Sequence, residues 1–224
     1  MNQLLNNEKI ARKKSKIIPR LIIILGIIVF IVLLSILVFN FVIKNSEHKT
    51  SISDLQRHWN AYDYEAVYKL SNDILIENPF NNTALTYHGY SAFYLAVSQI
   101  DTAMSQSFLD EAINNMRNAL LNAKHSLIPQ LEYMLGKAYF YKNTITSYYY
   151  ADLAVKYLVS ARKHGYKVDD IPEYLGLSYA ALGQTMESIS AFTEALLIRE
   201  SDTLLLSIAE QYYKIQQPSA AKQY

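Results

Sequence analysis

The chain has 224 residues, no cysteine and a formal net charge of +1, so disulfide frameworks, thiolate metal sites and cysteine nucleophiles are excluded. That balance hides an asymmetry: Lys9, Arg12, Lys13, Lys14, Lys16 and Arg20 against Glu8 put +5 on residues 1–20 and leave −4 on the rest. A mildly acidic remainder lacks the clustered positive field that holds phosphate backbones, which argues against nucleic acid as a partner.

Residues 1–20 read as a basic cytoplasmic segment. From Leu21 to Ile43 there is no charged side chain, and only Gly26, Ser35 and Asn40 interrupt the apolar run. A helix of that length spans roughly 34 Å, enough for a hydrocarbon core of about 30 Å with some tilt. The segment 21–43 therefore predicts a transmembrane helix. A cleaved signal peptide has an apolar region of only about 7–15 residues and ends at a small-x-small site, which Val42-Ile43-Lys44-Asn45 does not supply. Six basic residues before the span, against Lys44 and Lys49 after it, keep the N-terminus in the cytoplasm. In a bacterium this makes a single-pass inner-membrane protein, its lipid bilayer contact through 21–43, with a short linker at 44–50 and residues 51–224 in the periplasm. A domain free of thiols suits that oxidising compartment.

Beyond residue 50, Pro and Gly are scarce and apolar residues recur at helical spacing without two-residue alternation, which predicts an all-α domain. The predicted elements pair up along the chain. Helices fall at about 51–61, with Thr50 or Ser51 as N-cap, and at Tyr64–Glu77, stopped by Asn78-Pro79. The next pair is Thr83–Val97 and Phe108–Lys124, separated by a long loop, Ser98–Ser107. Then come Gln130–Asn143 with Tyr148–His164, and Pro172–Gly183 with Thr185–Arg199. A further helix at Thr203–Gln216 precedes Pro218, where another begins.

These pairs share a residue pattern. Leu175-Gly176-x-Ser178-Tyr179 is followed by Gly183, Ser188, Phe192 and Ala195. Leu135-Gly136-x-Ala138-Tyr139 repeats its opening, while Ala154, Leu158, Ala161 and Ala112, Met116, Ala119 repeat its close. The pattern resembles the tetratricopeptide repeat (TPR), a helix–turn–helix unit of about 34 residues. The resemblance covers most of 51–224, about four and a half repeats with the last incomplete. It implies a TPR-type helix–turn–helix solenoid, preceded here by one transmembrane helix. Gly89, Gly136 and Gly176 on the first helix of a repeat, with Ala119, Ala161 and Ala195 on the second, would permit close helix approach. A pair this short cannot bury its apolar face alone, so repeats must stack.

Nothing in the sequence builds a catalytic centre, and no cofactor or metal is expected. His48, His58, His88, His125 and His164 lack the spacing that puts two ligands on one helical face, and read as surface or groove side chains. Asp169 and Asp170, before Ile171-Pro172, read as helix-capping acids. Asn81-Asn82-Thr83 matches a glycosylation acceptor, a signal common by chance.

The distinctive feature is tyrosine, 19 residues of it. The TPR resemblance implies that the first helix of each repeat faces a concave groove. Carried over by the glycine position, this assigns a protein-binding groove to Tyr87, Tyr90, Phe93 and Tyr94, to Tyr133, Lys137, Phe140 and Tyr141, and to Tyr174. Rigid aromatics with polar tips serve as anchors in such surfaces. The expected function is a non-enzymatic scaffold that takes partner helices or loops in the groove and assembles a large envelope machine such as the collar of the periplasmic flagellar motor. The alternatives are a helper of export chaperones at the translocon, or the anchor part of a longer enzyme. Leu204, Leu205, Ile208, Tyr212 and Ile215 form a stripe at the C-terminal edge that predicts further repeats or subunits there.

Overall fold

The computed structural model describes residues 25–40, 52–146 and 149–224. The chain divides into two compact units, Met1–Ser51 and Ile52–Tyr224. In the first, residues 25–40 form a helix whose large apolar side chains are all half or more exposed. Ser35 Oγ donates to the Ile31 carbonyl at 2.8 Å, so that hydroxyl is satisfied within the helix. The basic segment, both ends of the 21–43 span and the linker 44–50 lie outside the described residues. Among the described residues no helix is long and apolar enough to cross a membrane.

The second unit is all helical among the described residues. Its elements are α1 (52–60), α2 (Tyr64–Glu77), α3 (Asn82–Ser98), α4 (Thr102–Leu121), α5 (Ile128–Ile145), α6 (Ala151–Lys163), α7 (Ile171–Ala181), α8 (Thr185–Ile198), α9 (Asp202–Lys214) and α10 (Pro218–Ala221). From α2 onward each helix packs on the next in sequence, and α3–α5 and α5–α7 also touch. Helices α3, α5 and α7 are thus neighbours across repeats, the arrangement of a solenoid of stacked hairpins.

The close approach within the α3–α4, α5–α6 and α7–α8 hairpins has the predicted cause. A Cβ placed on Gly176 would lie 2.5 Å from Phe192 Cδ1, one on Gly89 2.6 Å from Met116 Cγ, and one on Gly136 2.6 Å from Leu158 Cγ. Met116, Leu158 and Phe192 therefore occupy the space a side chain at each glycine would need. Ala119, Ala161 and Ala195 are buried on the partner helices.

The turn inside the hairpin also repeats. Seven residues after Leu55, Gly176 and Ala209 stand Tyr62, Gly183 and Gln216, with φ of 58°, 71° and 58°. In each case the next N–H reaches back to a carbonyl five residues earlier: Asp63 to His58, Gln184 to Tyr179 and Gln217 to Tyr212, at 2.9–3.0 Å. These are Schellman closures, and two of the three place a non-glycine residue in the left-handed region.

The repeats with insertions depart from expectation. The predicted loop Ser98–Ser107 is mostly helix, because Asp101 caps α4 by accepting from the Met104 N–H at 2.7 Å, leaving only residues 99–101 between α3 and α4. The inserted residues lengthen both helices instead. Likewise α5 runs on to Ile145, and Asn143 Oδ1 accepts from the N–H groups of Tyr150 and Ala151 at 2.8 and 3.2 Å. A side chain of α5 thus starts α6 at Ala151 rather than at Tyr148, which lies outside the described residues.

Candidate functional site

Odd-numbered helices bring one aromatic cluster together. Trp59 of α1 lies with ring centroids 5.6, 5.8 and 5.9 Å from Tyr87, Tyr90 and Tyr94 of α3. Tyr94 stacks on Tyr64 at 4.3 Å. Phe93 meets Tyr141 of α5 edge to face at 5.6 Å, and Phe140 meets Tyr174 of α7 at 5.1 Å. The hydroxyls of Tyr141 and Tyr174 are 3.3 Å apart.

All nine assigned groove residues fall in or beside this cluster, in two layers. Tyr90, Phe93 and Tyr133 are buried, at 3%, 2% and 8% exposure, so they form a floor and not the anchor surface expected of them. Tyr87, Tyr94, Lys137, Phe140, Tyr141 and Tyr174 are partly exposed above it.

Lys137 organises the α5–α7 end. Its Nζ lies 4.9 Å from the Tyr174 ring centre, 5.2 Å from Tyr133 and 5.9 Å from Phe93, within cation–π range. It donates to Asp170 Oδ2 at 3.2 Å, and Tyr133 Oη donates to the same oxygen at 2.7 Å. Asp170 was expected to cap α7; it makes no side-chain cap hydrogen bond. The ammonium and the phenol hold its carboxylate toward the cluster instead. Burial, followed by the bond to Asp170, pushes the Tyr133 phenol well above its ordinary range. Burial raises Tyr90 and Tyr174 in the same direction.

Sequence reading missed Trp59, Tyr64, Tyr166 and Asp170. Trp59 was findable, since it stands four residues after Leu55 as Phe93 and Phe140 stand four after Gly89 and Gly136. Tyr166, whose ring centroid is 4.9 Å from that of Tyr133, sits between α6 and α7, where no periodicity points.

Two polar networks lie between helices. His88, expected at the surface or groove, is buried at 2% exposure. Its Nδ1 is 2.9 Å from Ser71 Oγ and its Nε2 2.8 Å from Glu111 Oε1, while Tyr68 Oη donates to Glu111 Oε2 at 2.7 Å. The order Ser–His–Glu is that of a hydrolytic triad, but Ser71 is fully buried and its hydroxyl donates to the Val67 carbonyl at 2.6 Å. No substrate reaches it, so the network pins α2, α3 and α4 together. His164 and Ser160 similarly bind the buried Glu132, each at 2.7 Å. Among the described residues no group of three acidic or histidine side chains is placed to hold a metal ion.

No family model matches the sequence, and no curated protein sequence matches it. Solved structures do. MamA AMB-1 superposes with a TM-score of 0.61 at 19% identity, covering 76% of this chain and 90% of that one. MamA MSR-1 gives 0.60 at 19%, covering 78% and 87%. YrrB, described as a TPR protein with an unusual peptide-binding site, gives 0.57 at 14%, covering 76% and 79%. At these identities the likeness speaks to fold, and the fold is that of a tetratricopeptide solenoid.

Proposed function

We propose that the chain is a non-enzymatic protein-interaction scaffold whose groove along α1, α3, α5 and α7 receives a segment of a partner protein. The observation that carries this reading is the layered aromatic surface: above a buried floor, six partly exposed side chains already pack against neighbouring rings, so little entropy is lost when a partner docks. Lys137, neutralised by Asp170 and faced by rings, adds a directional donor without a net charge. YrrB, a neighbour in fold, is named for a peptide-binding site, and a peptide segment is the class of occupant we carry over.

The segment 21–43 anchors the chain in the inner membrane and the solenoid works in the periplasm. Supporting this are the charge asymmetry about the span and the apolar exposure along helix 25–40, which no soluble surface sustains without a partner or a bilayer. Anchoring raises the local concentration of the groove beside a membrane-embedded machine, and the collar of the periplasmic flagellar motor is the assembly we favour.

Cross-linking and co-purification from membranes tests the groove. The pair Tyr87→Ala and Tyr141→Ala should lose the partner while the melting curve stays near wild type. Normal partner recovery with those changes moves the binding surface elsewhere. A reporter active only in the periplasm, fused after residue 60, tests the topology, and cytoplasmic-side activity overturns it.

A further inference from the structure

The rim at which the chain enters the solenoid is not an ordinary solvated edge. Leu55 from the first turn of α1, Ile74 from the last turn of α2 and Ala84 from the first turn of α3 share one core cluster, so the start of α1 and the turn 78–81 lie at the same rim. Three large apolar side chains stand out from it into solvent: Ile76, Phe80 and Leu121 are 72%, 83% and 80% exposed.

Phe80 is displayed by a closed turn. The Asn81 N–H donates to the Asn78 carbonyl at 3.0 Å across Pro79 and Phe80, and Asn81 Oδ1 then caps α3 by accepting from the Ala84 N–H at 3.0 Å. Asn82 Nδ2 donates to the Asn122 carbonyl at 3.3 Å, which holds the turn beside the end of α4, where Leu121 is the last residue. Neither Ile76 nor Leu121 belongs to a core cluster, so polar residues in their places would leave the packing intact. In the third repeat the position matching Leu121, two after the small residue of the second helix, is the exposed Lys163. The apolar surface therefore belongs to the first two repeats, and Leu197 stands apart from it in the fourth.

What covers this surface follows from the chain. Eight residues, 44–51, separate the apolar span from α1, and at about 3.6 Å each they extend no further than about 29 Å. With 21–43 in a bilayer, the rim that the linker joins stays close to the lipid headgroups. The opposite rim also exposes apolar side chains, Ile100 and Met186 among them, but the 17 residues of α3 put roughly 26 Å between the two rims. A protein interface centres on a desolvated pocket, whereas Phe80 is a protrusion. Protruding aromatic and aliphatic side chains enter the boundary between headgroups and acyl chains without needing a complementary shape. Glu77 and Lys124 flank the patch in sequence with opposite charges, so it selects no headgroup charge.

We propose that Ile76, Phe80 and Leu121 form a foot that dips into the interface of the lipid bilayer and holds the first two repeats against the membrane. The assignment rests on the membrane anchoring proposed above and is independent of the groove.

The chain has no cysteine, so single labels can be placed cleanly. Phe80→Cys, Leu121→Cys, Ile100→Cys, Met186→Cys and Leu33→Cys each carry a nitrobenzoxadiazole label in the full chain, reconstituted in phosphatidylcholine vesicles. Part of the lipid bears a nitroxide, either on the headgroup or deep in the acyl chain. Labels at 80 and 121 should be blue-shifted and lose most of their emission to the headgroup nitroxide, while labels at 100 and 186 keep theirs. The label at 33 should be quenched by the acyl-chain nitroxide. With Ile76→Asn and Leu121→Asn added, the label at 80 should return to the emission of the opposite rim at an unchanged melting temperature, and quenching that persists overturns the patch as its cause. If the label at 33 is quenched and those at 80 and 121 are not, the foot is overturned and the anchoring stands. If the label at 33 is not quenched, both are overturned. A blue shift at 80 and 121 without quenching marks a protein in place of lipid and overturns the assignment.

Discussion

The contact between Gly176 and Phe192 is the sharpest available test of how the hairpins pack. An added methyl at Gly176 would sit 2.5, 2.6 and 2.8 Å from three ring carbons of Phe192, all inside the separation real side chains tolerate. Phe192 is 1% exposed and part of a core with Ile189, Ala195, Leu204 and Ile208, so its ring has no free space to swing into. Two effects then oppose each other in Gly176→Ala. Replacing a mid-helix glycine by alanine stabilises by about 0.5–1 kcal/mol in the absence of contacts. Overpacking a closed core is destabilising by about 1–3 kcal/mol. The clash wins, because three ring atoms must move and the ring lies in a core closed by Leu204 and Ile208 of α9. The net loss of about 1–2 kcal/mol lowers the melting temperature by roughly 2–8 °C in a unit of this size. Thermal unfolding followed by circular dichroism at the helical band measures it. Phe192→Leu in the same chain should recover part of the loss, since it vacates the space the methyl needs. A Gly176→Ala protein that melts at or above the wild-type temperature would refute the packing argument, for that is how an exposed helical glycine behaves.

Further outcomes follow from the same geometry. Gln216→Gly, at φ 58°, should stabilise by about 0.5–1 kcal/mol by relieving a left-handed residue, whereas Gly183→Ala, at φ 71° with open space around it, should destabilise by about 1 kcal/mol; urea midpoints of the two variants will show opposite signs. Asp170→Ala removes the acceptor of the buried Tyr133 hydroxyl and of Lys137 and should destabilise by about 1–3 kcal/mol, read by the same midpoints; no shift would mean the pair is satisfied elsewhere. The tyrosines give a pH dependence. Tyr68 is raised to about 12, by burial first and then by its bond to Glu111. A phenol raised above its unfolded value near 10 contributes stability that is complete below pH 10 and lost as pH rises toward 12. Tyrosinate absorbance should therefore appear in two steps, the second coinciding with loss of helicity. A single step near pH 10 with helices intact would contradict the burial of Tyr90 and Tyr133 and the partial burial of Tyr68 and Tyr174.

Much of this architecture was legible in the sequence because a repeat states the same physical requirement several times. Glycine and alanine recurring at matched offsets marked the close helix contacts, and a Cβ at Gly89, Gly136 or Gly176 meets the partner helix as that pattern demands. The inserted residues were legible as insertions but not as structure. Whether Ser98–Ser107 was loop or helix depended on one cap, Asp101 to Met104, and the start of α6 depended on Asn143 reaching across from α5. Such partners are distant in local pattern and carry no period.

The groove divides along the same line. The repeat resemblance, carried over by the glycine position, placed nine residues on the odd-numbered helices, but only tertiary contacts decided that Tyr90, Phe93 and Tyr133 lie beneath the surface and Tyr87, Tyr94 and Tyr141 on it. A helical offset sets the direction of a side chain, not how deeply its neighbours cover it. His88 became a core residue because Glu111, on another helix, supplies its partner, and Asp170 left its capping role because Lys137 and Tyr133 offer its carboxylate two donors. The sequence by itself determined the repeat, its small-residue contacts and its apolar faces, since these depend on spacing along one helix. Burial and the pairing of polar groups were decided only by tertiary structure, because each is a property of what other helices place beside a residue.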